Sequence, residues 1–555
     1  MYARDNVRQA LDSYYGRIHI NDFSSFIKSD FRDNMLFDLS EDRAQKNITE
    51  SKNMLDQIHQ WRKLPYMTYE ELVELDIVED FCRYIIRNNE WYWYKFNITH
   101  NTTPLPYVVK RLETYPIETI SDLEMYLFLL IQFPEKLREM EAKLRQQEKM
   151  GIILPEDQLT ICINLLNSLI QPSGSLLQPA NRIDVLLDLP SSIKGKIDNA
   201  INDFNYSLRQ LSLFLKHDYN HAGINVIPGL CNIKNGIDYY NQQIITYTSY
   251  SIPPEELHNM GLHELEVTRA KMQKIIKDLG FNMDIPEFEK YLKHNRVCFD
   301  STPEQLQARF ERAQSRIERQ LKNYFLRIPK SGCRCEALPK SKENSTSWGY
   351  YSVPIGTEKQ GVFYYSAAEL SSRSQIRTAA IVAHELIPGH HFQTSLIAED
   401  STLPIICREH FNTAFADGWA EYSADLVNEM GAYDLYDLYG RYAWDMVLCC
   451  RLVVDSGLNG MGWNIDRAKA FMRDNTILTD SEIFTETLRY SVDMPAQALS
   501  YKFGSLKIHQ LRDRAESALC NRFDIKKYHN EILRYGSVPL NILDHIVDHF
   551  IIENK

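Results

Sequence analysis

The chain has 555 residues, 44% hydrophobic and 25% charged, an ordinary globular composition with room for two or three lobes. A net charge of −12 and the lack of any long Lys/Arg run argue against a nucleic-acid partner. Met1–Arg8 has no signal-peptide core, and the longest apolar run, Met125–Phe133, is too short to span a bilayer. The ten cysteines form no disulfide or metal-finger pattern, since Cys333 and Cys335 are two apart and Cys449 and Cys450 adjacent. The expectation is a cytoplasmic protein with free thiols and no membrane partner.

In chain order, the aromatic cluster Trp91–Tyr94 reads as a core seam rather than a binding platform. Apolar residues recur at helical spacing through Leu123–Glu148, Ile193–Lys216, Pro254–Leu279 and Pro303–Phe325. The charged stretch Lys136–Lys149 reads as solvated helix surface. Lys330–Ser347 is polar and reads as a loop or lobe boundary. It would divide a mainly helical lobe, 1–330, from a metal-site lobe, 331–555, unless the chain is one continuous two-lobed domain. Trp348–Val353 and Gly361–Ser366 are β-prone runs joined by a turn-rich stretch, a hairpin signal. The apolar run Ile376–Ala383 is helix-compatible and leads into the most informative stretch, His384-Glu385-Leu386-Ile387-Pro388-Gly389-His390-His391.

That stretch looks like the H-E-x-x-H motif of zinc hydrolases with two residues inserted. In the ordinary motif one helix face carries both histidines at i and i+4. Here position i+4 is Pro388. His390 follows at i+6, about 600° around a regular helix and so on the wrong face. His391 returns to the right face about 10.5 Å further along the axis. A shared metal therefore needs a broken or bulged helix, which a Pro-Gly pair can supply. The other reading is a helix that ends at Pro-Gly and leaves the histidines on a loop. Downstream, Asp417 and Glu421 are four residues apart and share a helix face. Either could ligate while the other supports it, or the pair is a solvated acidic face.

The run His384–Gln393 (HELIPGHHFQ) resembles the signature of the DUF885 family, read as zinc metallopeptidases of the gluzincin clan. Ala416–Tyr422 (ADGWAEY), Asp455–Trp463 (DSGLNGMGW) and Arg489–Gly504 (RYSVDMPAQALSYKFG) resemble its later elements, in order, and Pro254–Glu266 resembles an upstream helical segment. The resemblance spans residues 210–520. It implies a mainly α-helical fold with a small β-sheet beside the active-site helix and a gluzincin-like, neurolysin-type deep cleft. It further implies one Zn2+ held by His384, His390 and Asp417, with Glu421 and His391 as alternate ligands. Glu385 would be the general base on metal-bound water, Tyr501 a donor to the developing oxyanion, and Arg489 a substrate anchor. Two positions depart from the family: Asp417 stands where a Glu is usual, and Asn459, a candidate catalytic residue that can donate a hydrogen bond but cannot carry a proton, stands where a His is usual. The implied activity is zinc-dependent cleavage of amide bonds in short peptides. The rivals are a metal-dependent biosynthetic hydrolase or cyclase acting on a small non-peptide amide or ester, and a degenerate peptidase fold used for binding. Oligomeric state is open.

Overall fold

The computed structural model describes residues 2–19, 38–65, 67–115, 117–170, 191–220, 223–224, 226–295, 298–338, 349–354, 359–368, 370 and 374–555. These residues are mainly helical, with one small sheet. The chain forms two compact units. One comprises Met1–Lys63, Phe81–Tyr239 and Leu488–Pro495; the other comprises Leu64–Asp80, Tyr240–Thr487 and Ala496–Lys555. The boundary expected at residue 330 falls inside the second unit. No helix among the described residues is long and apolar enough to cross a membrane.

The first unit is built around two long helices, Ile120–Lys149 and Ser191–His217, which pack along each other. Leu123, Tyr126, Leu130, Phe133, Leu137, Met140 and Leu144 recur every three or four residues and are all buried. Burying each such side chain is worth about 1.5–3 kcal/mol. Thr119 and Asp122 form a reciprocal capping box that fixes where this helix starts. The solvated-surface reading of Lys136–Lys149 fails at two places. Lys143 is 5% exposed and Gln147 fully buried, the latter donating to the carbonyls of Trp93 and Lys95. Those carbonyls belong to the turn around Tyr92–Tyr94, where Trp91 and Tyr94 pack half-buried against Tyr239.

In the second unit the helix Pro254–Asp278 lies along Leu435–Gly460, which is buried over nearly all of its length from Tyr439 to Asn459. The helix Thr413–Glu429, carrying Asp417 and Glu421, packs along Leu499–Leu519. Two glycines set that crossing. A Cβ on Gly418 would stand 2.6 Å from the backbone of Gly504, and one on Gly504 would stand 2.1 Å from the Ala414 carbonyl oxygen. The sheet has order β1-β3-β2, with β1 Cys333–Ala337, β2 Gly349–Ser352 and β3 Gly361–Tyr365. β2 and β3 pair antiparallel, Tyr351 opposite Phe363, as the expected hairpin. β1 pairs parallel with β3 and lies within the stretch expected to be loop. Residues 339–348 of that neighbourhood lie outside the described residues.

Gly504→Ala should lower unfolding stability by about 1–3 kcal/mol, because backbone must shift to admit the methyl group. Gly16→Ala, where an added Cβ meets nothing within 4 Å, should lower nothing. Urea unfolding midpoints of the two variants check the contrast.

Candidate metal centre

The first motif helix, Thr378–Glu385, buries Thr378, Ala379, Ala380, Val382 and Ala383 and ends directly after His384 and Glu385. The second motif helix begins at His390 and runs to Ala398. In the break between them, the N–H groups of Leu386 and Ile387 both reach the carbonyl of Val382, at 3.0 and 3.1 Å. A Cβ on Gly389 would lie 1.9 Å from the His384 carbonyl oxygen, so only glycine fits there. The Pro388 carbonyl accepts hydrogen bonds from Trp419 Nε1 at 2.9 Å and Ser423 Oγ at 3.3 Å, which fastens the break to the helix Thr413–Glu429. The break brings the rings of His384 and His390 to a centroid separation of 4.7 Å, nearly perpendicular at 85°. This is the convergence that an unbroken helix could not provide.

Asp417 completes the set. Its Oδ1 lies 3.4 Å from His390 Nε2, and one donor atom from each of His384, His390 and Asp417 lies within 4.8 Å of the others. Two imidazoles and one carboxylate form a donor set that suits zinc and similar divalent ions. The alternates are engaged elsewhere. Glu421 stands behind His384: its Oε1 is 3.0 Å from His384 Nδ1 and accepts from Trp444 Nε1 at 2.9 Å, while Oε2 is 3.1 Å from Arg441. His391 turns the other way. Its Nδ1 is 2.9 Å from the Tyr351 hydroxyl and its Nε2 is 3.0 Å from the Ser331 carbonyl oxygen. Burial holds its pKa below the usual histidine value.

The electrostatics around His384 favour a cation. Burial works against charge on its ring, yet the Glu421 carboxylate overrides that and raises the pKa to about 9. Burial also works against a charge on Glu421, but Arg441 and then His384 bring it down to about 2, so it is ionised at neutral pH. Arg441 lies 3.1 Å from Asp425, and Lys502 lies 2.9 Å from Asp445 and 3.2 Å from Glu264. Glu421, Glu385 and Asp417 all act on the His384 ring to raise its pKa, a local negative surplus beside it. A divalent ion between the histidines and Asp417 would offset that surplus.

Glu385 lines a cavity of about 130 Å³ with His384, Phe363, Ile381, Ala424 and Trp444, among others. Gly349 of the edge strand β2 also lines it. Tyr501 sits on the helix Leu499–Leu519, its ring 4.7 Å from the Arg451 guanidinium and its hydroxyl 3.4 Å from Gln497 Nε2. Arg489 begins a short π-helical segment, Arg489–Asp493, in the first unit. Asn459 is fully buried, and its amide donates to the Asp455 carbonyl at 3.0 Å and to Asp455 Oδ1 at 3.3 Å. The same carboxylate accepts from the Tyr240 hydroxyl and the Ala496 N–H. Asn459 therefore serves a hydrogen-bonded hub. Sequence reasoning overlooked Arg441 and Trp444, whose only local signal is a charge and an indole three residues apart on an apolar helix.

Protein purified without chelators should carry about one divalent ion per chain by elemental analysis. His384→Ala and His390→Ala should lose it, and His391→Ala should keep it. Asp417→Ala should weaken binding more than Glu421→Ala, for which the loss of a partner behind a ligand predicts about 10–100-fold. Full retention in Asp417→Ala with loss in Glu421→Ala would make Glu421 the ligand.

The sequence model for bacterial proteins of unknown function called DUF885 matches residues 23–547. No curated protein matches the chain. The crystal structure of a candidate lipoprotein from Colwellia psychrerythraea is similar with a TM-score of 0.84 at 20% identity, over 99% of this chain and 100% of that one. A candidate lipoprotein of unknown function from Shewanella oneidensis gives a TM-score of 0.71 at 16% identity, over 97% and 98% of the two chains. At these identities the likeness is one of fold. With the family model matching nearly its whole length, the chain belongs to the DUF885 family.

Proposed function

We propose that this protein is a zinc-dependent hydrolase that cleaves amide bonds in short peptides. The observation that supports it most directly is the convergence of His384, His390 and Asp417 across the Pro388-Gly389 break, with Glu385 next to His384 in the chain and lining one cavity with it. When bound, the zinc would polarise a carbonyl and acidify water. Glu385 would take the proton of the attacking water and deliver it to the leaving amine. Phe363, Ile381, Ala424 and Trp444 give that cavity apolar walls, suited to a substrate side chain next to the scissile bond.

β2 favours a peptide over a small non-peptide amide. It is an edge strand among the described residues and contributes Gly349 to the cavity, so an extended chain could add to its free side. The gluzincin-like, neurolysin-type cleft belongs to this proposal too, as do Tyr501 as oxyanion donor and Arg489 as substrate anchor; these rest on the family motifs. Asn459 is left without a proton-carrying role. The cytoplasmic location read from the sequence is also part of the proposal. Two neighbours of the same fold are described as lipoproteins, so cell fractionation decides between cytosol and export.

Hydrolysis of a short-peptide mixture, read as newly released amines, should vanish with a chelator and return with zinc. Glu385→Gln should keep its metal yet lose about 10²–10⁴-fold in turnover. Metal-loaded protein that releases no amine from any peptide would overturn the reading, as would wild-type turnover in Glu385→Gln. Asp417→Glu tests the shorter carboxylate: it should retain metal, because the added methylene can be taken up by a small helix shift.

A further inference from the structure

The first unit contains a cavity of about 240 Å³, roughly the share of eight waters at ~30 Å³ each. Its charged lining is mostly cationic. Arg43, Lys95 and Lys143 face a single carboxylate, Asp38, in a chain whose overall charge is −12. Lys143 is 5% exposed. Its Nζ lies 3.0 Å from Asn97 Oδ1 and 3.9 Å from the centre of the Tyr92 ring. Among the described residues no carboxylate pairs with it. Burying an ammonium group without a counter-charge costs several kcal/mol, and proteins ordinarily avoid it.

The surrounding polar groups are incomplete in the same sense. Among the described residues Arg43 Nε and Asn88 Nδ2 are buried donors without a hydrogen-bond partner, against one unpartnered acceptor in the lining, Asn47 Oδ1, while the Arg43 Nη2 group donates to the Arg17 carbonyl. Lys95 Nζ donates to Asn88 Oδ1, which leaves the amide nitrogen of Asn88 as its spare group. Burial, and then the charge of Lys95, push the Lys143 ammonium down to a pKa of about 7, the direction that a neighbouring anion would reverse. Lys143, Arg43 Nε and the Asn88 amide nitrogen line one cavity as donors, and Lys95 adds a further positive charge to it.

We propose that this cavity binds a small anionic molecule through a phosphate or carboxylate group, with Lys143 as the central contact and Arg43 and Lys95 flanking it. The charge-assisted bonds to such a group are the strong kind, and each spare donor would gain a partner. The lining belongs wholly to the first unit and shares no residue with the metal centre.

The test uses the full chain and three probes: inorganic phosphate, pyrophosphate and citrate. Calorimetry and thermal unfolding should show binding and a raised Tm with at least one of them, and not with sodium chloride at matched ionic strength. Pyrophosphate against citrate separates a phosphate ligand from a carboxylate one. Lys143→Met should lose at least tenfold in affinity while keeping metal content and peptide hydrolysis. Its own Tm without anion should equal or exceed that of wild type, since an uncompensated charge is gone. Arg43→Gln should also bind more weakly. Absence of binding by all three probes to wild type overturns the proposal, and so does wild-type affinity in both variants.

Discussion

The buried ion pair between Arg441 and Glu421 is the interaction on which the arrangement around His384 depends. Both side chains are almost wholly out of water, and Asp425 and Asp445 share the same guanidinium. Such pairs contribute little net stability, because desolvation cancels most of the attraction. Their value lies in geometry. Glu421, held ionised by Arg441, stands 3.0 Å from the Nδ1 side of the His384 ring, and in the proposed metal centre Nε2 would be the ligating nitrogen. Asp417, one turn earlier on the same helix, comes to His390 by the same packing. One helix therefore supplies both a donor and the support of another donor.

The two units treat buried charge in opposite ways. In the second, Arg441 and Lys502 are surrounded by carboxylates, and the surplus is negative beside the histidines. In the first, Lys143 is as deeply buried but among the described residues meets only an amide oxygen and a tyrosine ring. The two surpluses match the two proposals in sign, a metal cation in the second unit and a small anion in the first.

Much of this was legible in the sequence where the determinant is local. The helices read at Leu123–Glu148, Ile193–Lys216 and Pro254–Leu279 appear within three residues of those ends, because a 3.6-residue apolar period and a capping residue act over a single turn. The helix read to Phe325 stops at Glu318 and resumes for one turn at Leu321. The need for a broken helix at Pro388 followed from the spacing alone. Choosing between His390 and His391 did not, since neighbouring residues differ by only 100° and the choice turns on where the second helix restarts. β1 reads as loop in the sequence because its partner, β3, lies across a long intervening stretch. Lys143 reads as solvated because a charge pattern cannot say what covers it. The bond from the Asn459 amide to the Asp455 carbonyl joins two positions four apart on one helix, a spacing the sequence shows without showing the bond.

The hydrogen bonds from Trp419 and Ser423 to the Pro388 carbonyl have a consequence for how such a site can change. In an unbroken motif helix the angle at which two histidines grip an ion is set by the helix itself and can hardly vary. Here it is the angle between two short helices, pinned by an indole and a hydroxyl from a third. In the proposed metal centre, substitutions at 419 or 423 would act as a screw on that grip, altering coordination geometry, and so the preference among divalent ions, without replacing any proposed ligand.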